Sequence, residues 1–332
     1  MCMITIGAHI PAQLPGRCRI RTALYLGLKG WIMNLSDEIR KLAAKKNAII
    51  LAHNYQSDEV QEIADFTGDS LELSRIAADN SANIIVFCGV HFMAESAAML
   101  SPEKKVLLPD LAAGCPMADM ADPHDLAEMK RQHPDATVVT YINSSAAVKA
   151  LSDICCTSAN AVKIVQKIDA KKILFVPDKN LGSYAQRFTD KEIILWDGFC
   201  PTHDCFTAQE LAAVKREHPD AVAIVHPECR PEVVDIADEV LSTGGMVTFV
   251  KKTAHKKIIV GTERGMICKL RSVAPDKEYI LASEKFYCPT MKKITLEKLY
   301  TSLATEEPVV TVPSDVAAKA VSCLNKMLEL SR

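Results

Sequence analysis

Three cysteines of this sequence recur at almost constant spacing, and each is followed by a proline. They are Cys115, Cys200 and Cys288, and the intervals between them are 85 and 88 residues. Cys-Pro is a common setting for the thiolates that hold iron–sulfur clusters. Three thiolates suit a [4Fe–4S] cluster whose fourth iron has no protein ligand. The pattern therefore predicts one metal cluster that is shared by three parts of the chain.

Zinc is the competing metal. Structural zinc sites use four ligands, usually supplied as close pairs, and the sequence contains no CxxC motif. His203, three residues after Cys200, is the nearby side chain that would complete a zinc site. The iron–sulfur interpretation is therefore favoured, with zinc as the alternative.

The other cysteines give weaker evidence of a functional role. Most are predicted to be small buried apolar residues of a protein in a reducing cytoplasm. The five assigned in this way are Cys88, Cys155, Cys156, Cys268 and Cys323. Within this set, Cys155 and Cys156 are placed beside the start of a helix. Cys205 and Cys229 lie near the predicted cluster ligands in the sequence, so a role for them stays open.

Pairs of polar residues follow the same interval as the cysteines, and each pair comes directly after an apolar run. The pairs are His53 with Tyr55, Tyr141 with Asn143, and His226 with Glu228. An i, i+2 spacing places both members of a pair on one face of a strand. Functional residues of parallel α/β sheets collect at the carboxyl ends of the strands. We therefore expect these three pairs to line one cavity.

Three hydroxyl residues extend the same register. They are Ser70, Ser158 and Thr243, each near the start of a helical segment. A hydroxyl there either caps free backbone N–H groups or binds an anion beside the helix N-terminus. Both roles stay open for each residue taken alone. Three such hydroxyls around one cavity favour a ligand that carries carboxylates or phosphate.

The elements that must position these residues form a threefold internal repeat. In each copy an apolar strand is followed by a helical segment that ends in aspartate, then by two more strands. The first strands lie within 45–56, 131–143 and 216–228, and the aspartates are Asp65, Asp153 and Asp238. The order strand–helix–strand–helix–strand predicts right-handed crossovers and a small parallel sheet in each copy.

The predicted fold class is therefore α/β. It has three pseudo-threefold-related units, each a small parallel sheet flanked by helices, around a central cavity. The units are assigned to residues 34–116, 117–201 and 202–289. Residues 290–332 fall outside the repeat, and the amphipathic segment 313–330 is expected to pack back on the first unit.

Residues 1–33 are basic and only mildly apolar, with prolines and arginines that interrupt any signal-peptide core. They are predicted to be a disordered extension or a start codon assigned too early. Met33 would be a natural start, with Ser36 as N-cap of the helix that follows.

Composition excludes several classes of function. The 332 residues are 48% apolar, which supplies a sizeable core, and the net charge is -2. Without a basic excess, nothing favours binding to nucleic acid or to an anionic membrane. No apolar run approaches the roughly 18 residues of a membrane-spanning helix. A cytoplasmic enzyme of small molecules is the expectation.

Nine motifs in order give the sequence a specific resemblance. They are AHNYQ, GDSLELS, AGCPMAD, YINSSA, CTSANAV, PDKNLG, HPEC, STGGM and GTERGM. With the three Cys-Pro sites, these motifs closely resemble those of quinolinate synthases. The match runs from about Met33 to the C-terminus, and the extension before it is the one departure.

The resemblance implies an activity and a cofactor. Quinolinate synthases condense iminoaspartate with dihydroxyacetone phosphate, releasing phosphate and two waters, on the route to NAD. The family's [4Fe–4S] cluster carries over to Cys115, Cys200 and Cys288, with its open iron acting as a Lewis acid. Because iminoaspartate hydrolyses readily, the pathway also implies functional coupling to an L-aspartate oxidase or an aspartate dehydrogenase.

The resemblance also assigns roles to individual residues. Those implied to bind the substrates are His53, Ser70, Tyr141, Asn143, Ser158, His226, Glu228 and Thr243. Tyr55 and Glu228 match positions linked to proton transfer, and Tyr141 joins them as a catalytic residue. Glu228 is the only carboxylate among the strand-end pairs, so it is the leading general base and acid.

The residues alone leave two alternative functions open. Another [4Fe–4S] hydro-lyase that acts on a small dicarboxylate explains the cysteines and the hydroxyls, but not the full motif set. An iron–sulfur redox sensor predicts a fully ligated cluster and gives no reason for His53, His226 and Glu228 around it.

Overall fold

The repeat predicted from the sequence appears as three separate parallel sheets. The computed structural model of the protein describes residues 34–331, so the predicted extension 1–33 lies outside the described residues. Each sheet has four strands in the equivalent order, with the second strand of the unit at one edge and the first beside it. The α/β class with three similar units is thus confirmed.

The first sheet has the order β2-β1-β3-β4. Its strands are β1 (Ala48–His53), β2 (Phe66–Gly68), β3 (Ile84–Cys88) and β4 (Lys105–Leu107). Its helices are α1 (34–45), α2 (Asp58–Ile63), α3 (Ser70–Asp79) and α4 (His91–Leu100). Every residue of β3 is buried, as expected for a strand covered on both faces by helices. Ser36 lies inside α1, so its predicted role as an N-cap is wrong.

The second sheet has the order β6-β5-β7-β8. Its strands are β5 (Thr137–Tyr141), β6 (Ile154–Cys156), β7 (Lys172–Val176) and β8 (Glu192–Leu195). The helices from the end of the first unit through the second are α5 (Pro116–Asp119), α6 (Pro123–Gln132), α7 (Ala146–Leu151), α8 (Ala161–Lys167) and α9 (Lys179–Gln186). Cys155 and Cys156 lie within β6, which corrects their placement beside a helix start.

The third sheet has the order β10-β9-β11-β12. Its strands are β9 (Val222–Val225), β10 (Glu239–Val240), β11 (Lys257–Gly261) and β12 (Glu278–Leu281). Its helices are α10 (Pro201–Asp204), α11 (Ala208–Glu217), α12 (Pro231–Val234), α13 (Thr243–Lys252) and α14 (Met266–Val273). A short 3₁₀ turn, Met291–Lys293, follows the last Cys-Pro site.

The aspartates of the repeat have a structural role. The carboxylates of Asp65, Asp153 and Asp238 each accept a hydrogen bond, at 2.7–2.8 Å, from a backbone N–H of the first strand of their unit. Each aspartate also immediately precedes the short edge strand. The same side chain thus joins two neighbouring strands in all three units.

The C-terminal residues divide between two units. Helix α15 (Leu296–Thr305) packs on β3, and Val310 N–H donates to the carbonyl oxygen of Val106 in β4, so this stretch covers the first sheet as expected. Helix α16 (Ser314–Leu330) instead lies mainly on α7 and β6 of the second unit, with a smaller contact to α4. The expectation that segment 313–330 packs on the first unit is corrected accordingly. No helix within residues 34–331 is both long and apolar enough to span a membrane.

Candidate active site

One cavity receives side chains from all three units. Every residue predicted to bind substrate, to catalyse or to hold metal lines it: His53, Tyr55, Ser70, Cys115, Tyr141, Asn143, Ser158, Cys200, His226, Glu228, Thr243 and Cys288. The strand-end pairs reach the cavity because β1, β5 and β9 direct their carboxyl ends toward it. The structure also adds His203 and Glu263 to the lining.

The three repeat-related cysteines enter this cavity as unpaired thiols. Cys115 and Cys200 are the N-caps of α5 and α10, whose first residue is the proline of each Cys-Pro pair. Burial raises the pKa of Cys115 to about 12 and that of Cys200 well above its ordinary value, and Cys288 raises both further. The three part-buried thiols come from three units, and a bound metal ion deprotonates the thiols that coordinate it. This donor set fits an iron–sulfur cluster.

The cysteines left open by the sequence do not join them. Cys205 and Cys229 are absent from the cavity lining, and Cys229 is buried in the core of the third unit. Cys88, Cys155, Cys156 and Cys323 are buried as predicted, while Cys268 is partly exposed.

His203 contacts protein side chains through both of its ring nitrogens. Its Nδ1 lies 2.7 Å from Glu228 Oε2 and 3.2 Å from Cys200 Sγ. Its Nε2 lies 2.8 Å from Thr262 Oγ1. Cys200, His203 and Glu228 also place their ligand atoms within 4.8 Å of one another, a grouping that could hold a metal ion, so the zinc alternative stays open.

The two histidines at the strand ends share one local geometry. Nδ1 of His53 accepts the backbone N–H of Tyr55 at 3.2 Å, and Nδ1 of His226 accepts that of Glu228 at 3.3 Å. An accepting Nδ1 leaves the proton on Nε2. Burial lowers the pKa of each histidine to about 3, so both rings are neutral at physiological pH. Each therefore presents an N–H donor rather than a cation.

Glu228 is the buried acceptor at the centre of the site, with 3% of its surface exposed. The Tyr141 hydroxyl donates to its Oε1 at 2.6 Å, while His203 Nδ1 approaches Oε2. Burial alone would raise the pKa of Glu228, but His226, His203 and Tyr141 outweigh burial and lower it. Burial and the carboxylate raise the pKa of Tyr141 well above its ordinary value. Glu228 is therefore a carboxylate and Tyr141 a neutral phenol at neutral pH.

A hydroxyl connects Tyr55 to this carboxylate. Thr262 Oγ1 lies 2.6 Å from the Tyr55 hydroxyl and 2.8 Å from His203 Nε2. With His203 bonded to Glu228, these groups form a continuous hydrogen-bonded chain between the first and third units. Thr262 was not predicted and His203 was predicted only as a possible metal ligand, although Thr262 stands in the motif GTERGM and His203 follows Cys200 by three residues.

The three repeat-related hydroxyls do not cap their helices. Asp69 and Ser242 are the N-caps of α3 and α13, and Asn160 precedes α8. The plain N-cap alternative is therefore wrong for Ser70, Ser158 and Thr243, which line the cavity instead.

An unsatisfied polar atom also marks the ligand space. The side-chain oxygen of Asn143 is buried and has no hydrogen-bond partner. A buried acceptor without a partner is costly, and Asn143 lines the cavity. A donor on a bound ligand would satisfy it.

Comparison with known proteins identifies the family of this chain. Residues 37–329 match the family model described as Quinolinate synthetase A protein. The chain belongs to this family. It is 54% identical to the quinolinate synthase of Geobacter metallireducens over 298 residues, which cover 90% of this chain and 98% of that protein. It is 52% identical to the quinolinate synthase of Methanosarcina barkeri over 294 residues, covering 89% and 97%.

In this member of the quinolinate synthetase A family, a buried ion pair supports the cavity wall. Glu263 is fully buried, and its Oε2 lies 3.0 Å from Lys292 Nζ. Its Oε1 accepts the backbone N–H of Cys288 at 3.2 Å, and Lys292 donates to the carbonyl of Tyr55. The pair thus ties a predicted metal ligand to the first unit.

We expect the substitution Lys292→Met to lower the free energy of unfolding by about 3 kcal/mol, because it leaves a buried carboxylate unpaired. Urea unfolding followed by circular dichroism measures this change. Lys256→Met is the matched control, since Lys256 pairs with Asp276 on the surface and its loss should change little. Equal stability of the two variants would contradict a structural role for the buried pair.

Proposed function

We propose that this protein is a quinolinate synthase. It condenses iminoaspartate with dihydroxyacetone phosphate to form quinolinate, with loss of one phosphate and two waters. The observation that carries the proposal is one shared cavity, in which three repeat-related cysteines meet two neutral histidines and a hydrogen-bonded carboxylate. Family membership at more than 50% identity to proteins named quinolinate synthase supports it.

Cys115, Cys200 and Cys288 would hold a [4Fe–4S] cluster in this proposal. A cluster with one iron free of protein ligands supplies a Lewis acid that polarises an oxygen of the substrate. The side chains of the cavity perform the remaining tasks of binding and proton transfer.

In this proposal, uncharged hydrogen-bond donors around the cavity bind the substrates. The Nε2–H groups of His53 and His226 suit carboxylate or phosphate oxygens, because they donate without adding a positive charge. The hydroxyls of Ser70, Ser158 and Thr243 add donors from the three units. A ligand with anionic groups at both ends, as the condensation requires, would engage all three units at once.

Proton transfer falls to Glu228 and its partners. As an ionised carboxylate, Glu228 is placed to take a proton from carbon, and Tyr141 and His203 hold it in place. A carboxylate that gains a proton can return it to a departing hydroxyl, which serves both dehydrations. Tyr55, connected through Thr262 and His203, extends the path of proton exchange to the first unit.

The substitution Thr262→Val tests this connection. Valine keeps the volume of threonine but removes the hydroxyl between Tyr55 and His203, so we expect kcat to fall by about 10²-fold, at the lower end of general acid–base effects. KM should change little, because Thr262 does not line the cavity. Thr262→Ser keeps the hydroxyl and is the control; equal turnover of the valine and serine variants would exclude the relay.

The direct test of the function is formation of quinolinate by anaerobically purified protein. Freshly prepared iminoaspartate and dihydroxyacetone phosphate are supplied, and quinolinate is followed by its ultraviolet absorbance. A brown protein that forms quinolinate and releases one phosphate per product is the expected result. A brown protein that forms no quinolinate but dehydrates another small dicarboxylate would replace the proposal with the hydro-lyase alternative.

A further inference from the structure

Two buried cysteines outside the cavity are in sulfur–sulfur contact. Cys155 Sγ and Cys323 Sγ lie 3.1 Å apart, although 168 residues separate them in the sequence. Cys155 belongs to β6 and Cys323 to α16, and at most 1% of either residue is exposed. Both are free thiols. The contact therefore joins the C-terminal helix to the edge strand of the second unit.

A buried lysine accompanies this thiol pair. Lys149 on α7 is fully buried, and its Nζ donates to the carbonyl oxygen of Ser144 at 2.6 Å. Burial lowers the pKa of Lys149, and the adjacent Cys155 and Cys323 act against this change by favouring the ammonium form. The hydrogen bond with Cys155 and burial raise the pKa of the Cys323 thiol well above its ordinary value, whereas Lys149 acts against that rise by favouring the thiolate, the reactive form of cysteine. The mechanism proposed above uses none of these three residues.

We propose that Cys155 and Cys323 form a reversible dithiol–disulfide site that fastens α16 to the second unit. A disulfide holds its sulfurs about 2.05 Å apart, so the two atoms need to approach by about 1 Å. The oxidant is a small peroxide, which enters by local opening of α16, and the reductant is a protein dithiol.

The chemistry balances with hydrogen peroxide. The thiolate of one cysteine attacks a peroxide oxygen and becomes a sulfenic acid, while the second oxygen leaves and is protonated to water. The sulfur of the other cysteine then attacks the sulfenic sulfur and displaces a second water. Two thiols and one peroxide thus give one disulfide and two waters. A protein dithiol reverses the reaction by exchange and becomes a disulfide itself.

A disulfide between Cys155 and Cys323 would affect the wall of the cavity. Helix α16 packs on α7 and is also attached to the second unit by Lys326 Nζ to Asp153 O, Lys167 Nζ to Leu330 O and Asn160 Nδ2 to Ser331 Oγ. Strand β6 leads directly into Thr157 and Ser158 at the cavity wall. A covalent link would hold this wall in place under oxidising conditions, because it closes a long loop and restricts the unfolded chain.

The test uses the full chain, purified under reducing anaerobic conditions and then treated with stoichiometric hydrogen peroxide. Free thiols are trapped by alkylation, and a digest is analysed by tandem mass spectrometry without reduction. We expect a peptide that joins Cys155 to Cys323, two hydrogens lighter than the sum of its parts, and its disappearance after dithiothreitol. The oxidised protein should also unfold at higher urea concentration than the reduced protein.

Two variants and one internal control decide which sulfurs react. Cys323→Ala should abolish the linked peptide and the shift in urea midpoint, whereas Cys156→Ala should keep both. Cys88, equally buried in β3, serves as an internal control and should remain unlinked. The proposal is overturned if both thiols of the native protein are alkylated after peroxide treatment, or if the link forms only in urea-unfolded protein.

Discussion

Glu228→Gln is expected to lower kcat by about 10²- to 10⁴-fold, the range typical for loss of a general acid–base group. Glutamine keeps the shape of the side chain but has only one acceptor oxygen. Either Tyr141 or His203 then loses the partner that it has at 2.6–2.7 Å. A neutral amide also cannot take a proton from carbon. The variant should therefore bind substrate and fail at proton transfer.

Steady-state quinolinate formation measures this loss, and the visible absorbance of the cluster shows whether the metal site is intact. Glu239→Gln is the matched control, since Glu239 lies exposed on β10 of the same unit. Turnover close to the wild type in Glu228→Gln, with an unchanged cluster spectrum, would exclude Glu228 as the base.

The architecture could be predicted because the sequence repeats three times. Long apolar runs such as Ile84–Cys88 and Lys257–Gly261 have the composition of buried parallel strands, and both are strands in the structure. The edge strands β2, β6 and β10 were not predicted, since two or three residues are too few to show a period. The position of α16 was also missed, because amphipathicity shows that a helix packs but not on which neighbour.

The lining of the cavity could be predicted for a related reason. Repeat register and the carboxyl ends of parallel strands together indicate which side chains converge, so His53, Tyr141 and His226 were found from spacing alone. Contacts made by packing between units have no such periodicity. The bond between His203 and Thr262 joins residues 59 positions apart, and the pairing of Glu263 with Lys292 depends on a turn outside the repeat. These contacts become visible only in three dimensions.

Replacing a single repeat-related cysteine should have the largest effect of all. In Cys200→Ala we expect protein that is folded, colourless and almost free of iron and sulfide. The two thiols that remain, from two units, are too few to hold a cluster that three cysteine thiols bind in the wild type. Turnover should fall by at least ~10³-fold, since Lewis-acid assistance contributes several kcal/mol to the transition state. Iron and sulfide analysis, absorbance near the cluster band and quinolinate formation measure the three effects separately.

Cys205→Ala is the matched control for this experiment. Cys205 lies five residues further along the chain, at the other end of the same short helix α10, and does not line the cavity. If the loss of any thiol in this segment damaged the protein, both variants would lose the cluster and activity. If Cys200 is a ligand, only Cys200→Ala loses them. Cys205→Ala should keep the brown colour and the activity of the wild type. If Cys200→Ala retained a full complement of iron and sulfide, or if the wild-type protein bound zinc and stayed colourless, the three cysteines would not be ligands of an iron–sulfur cluster.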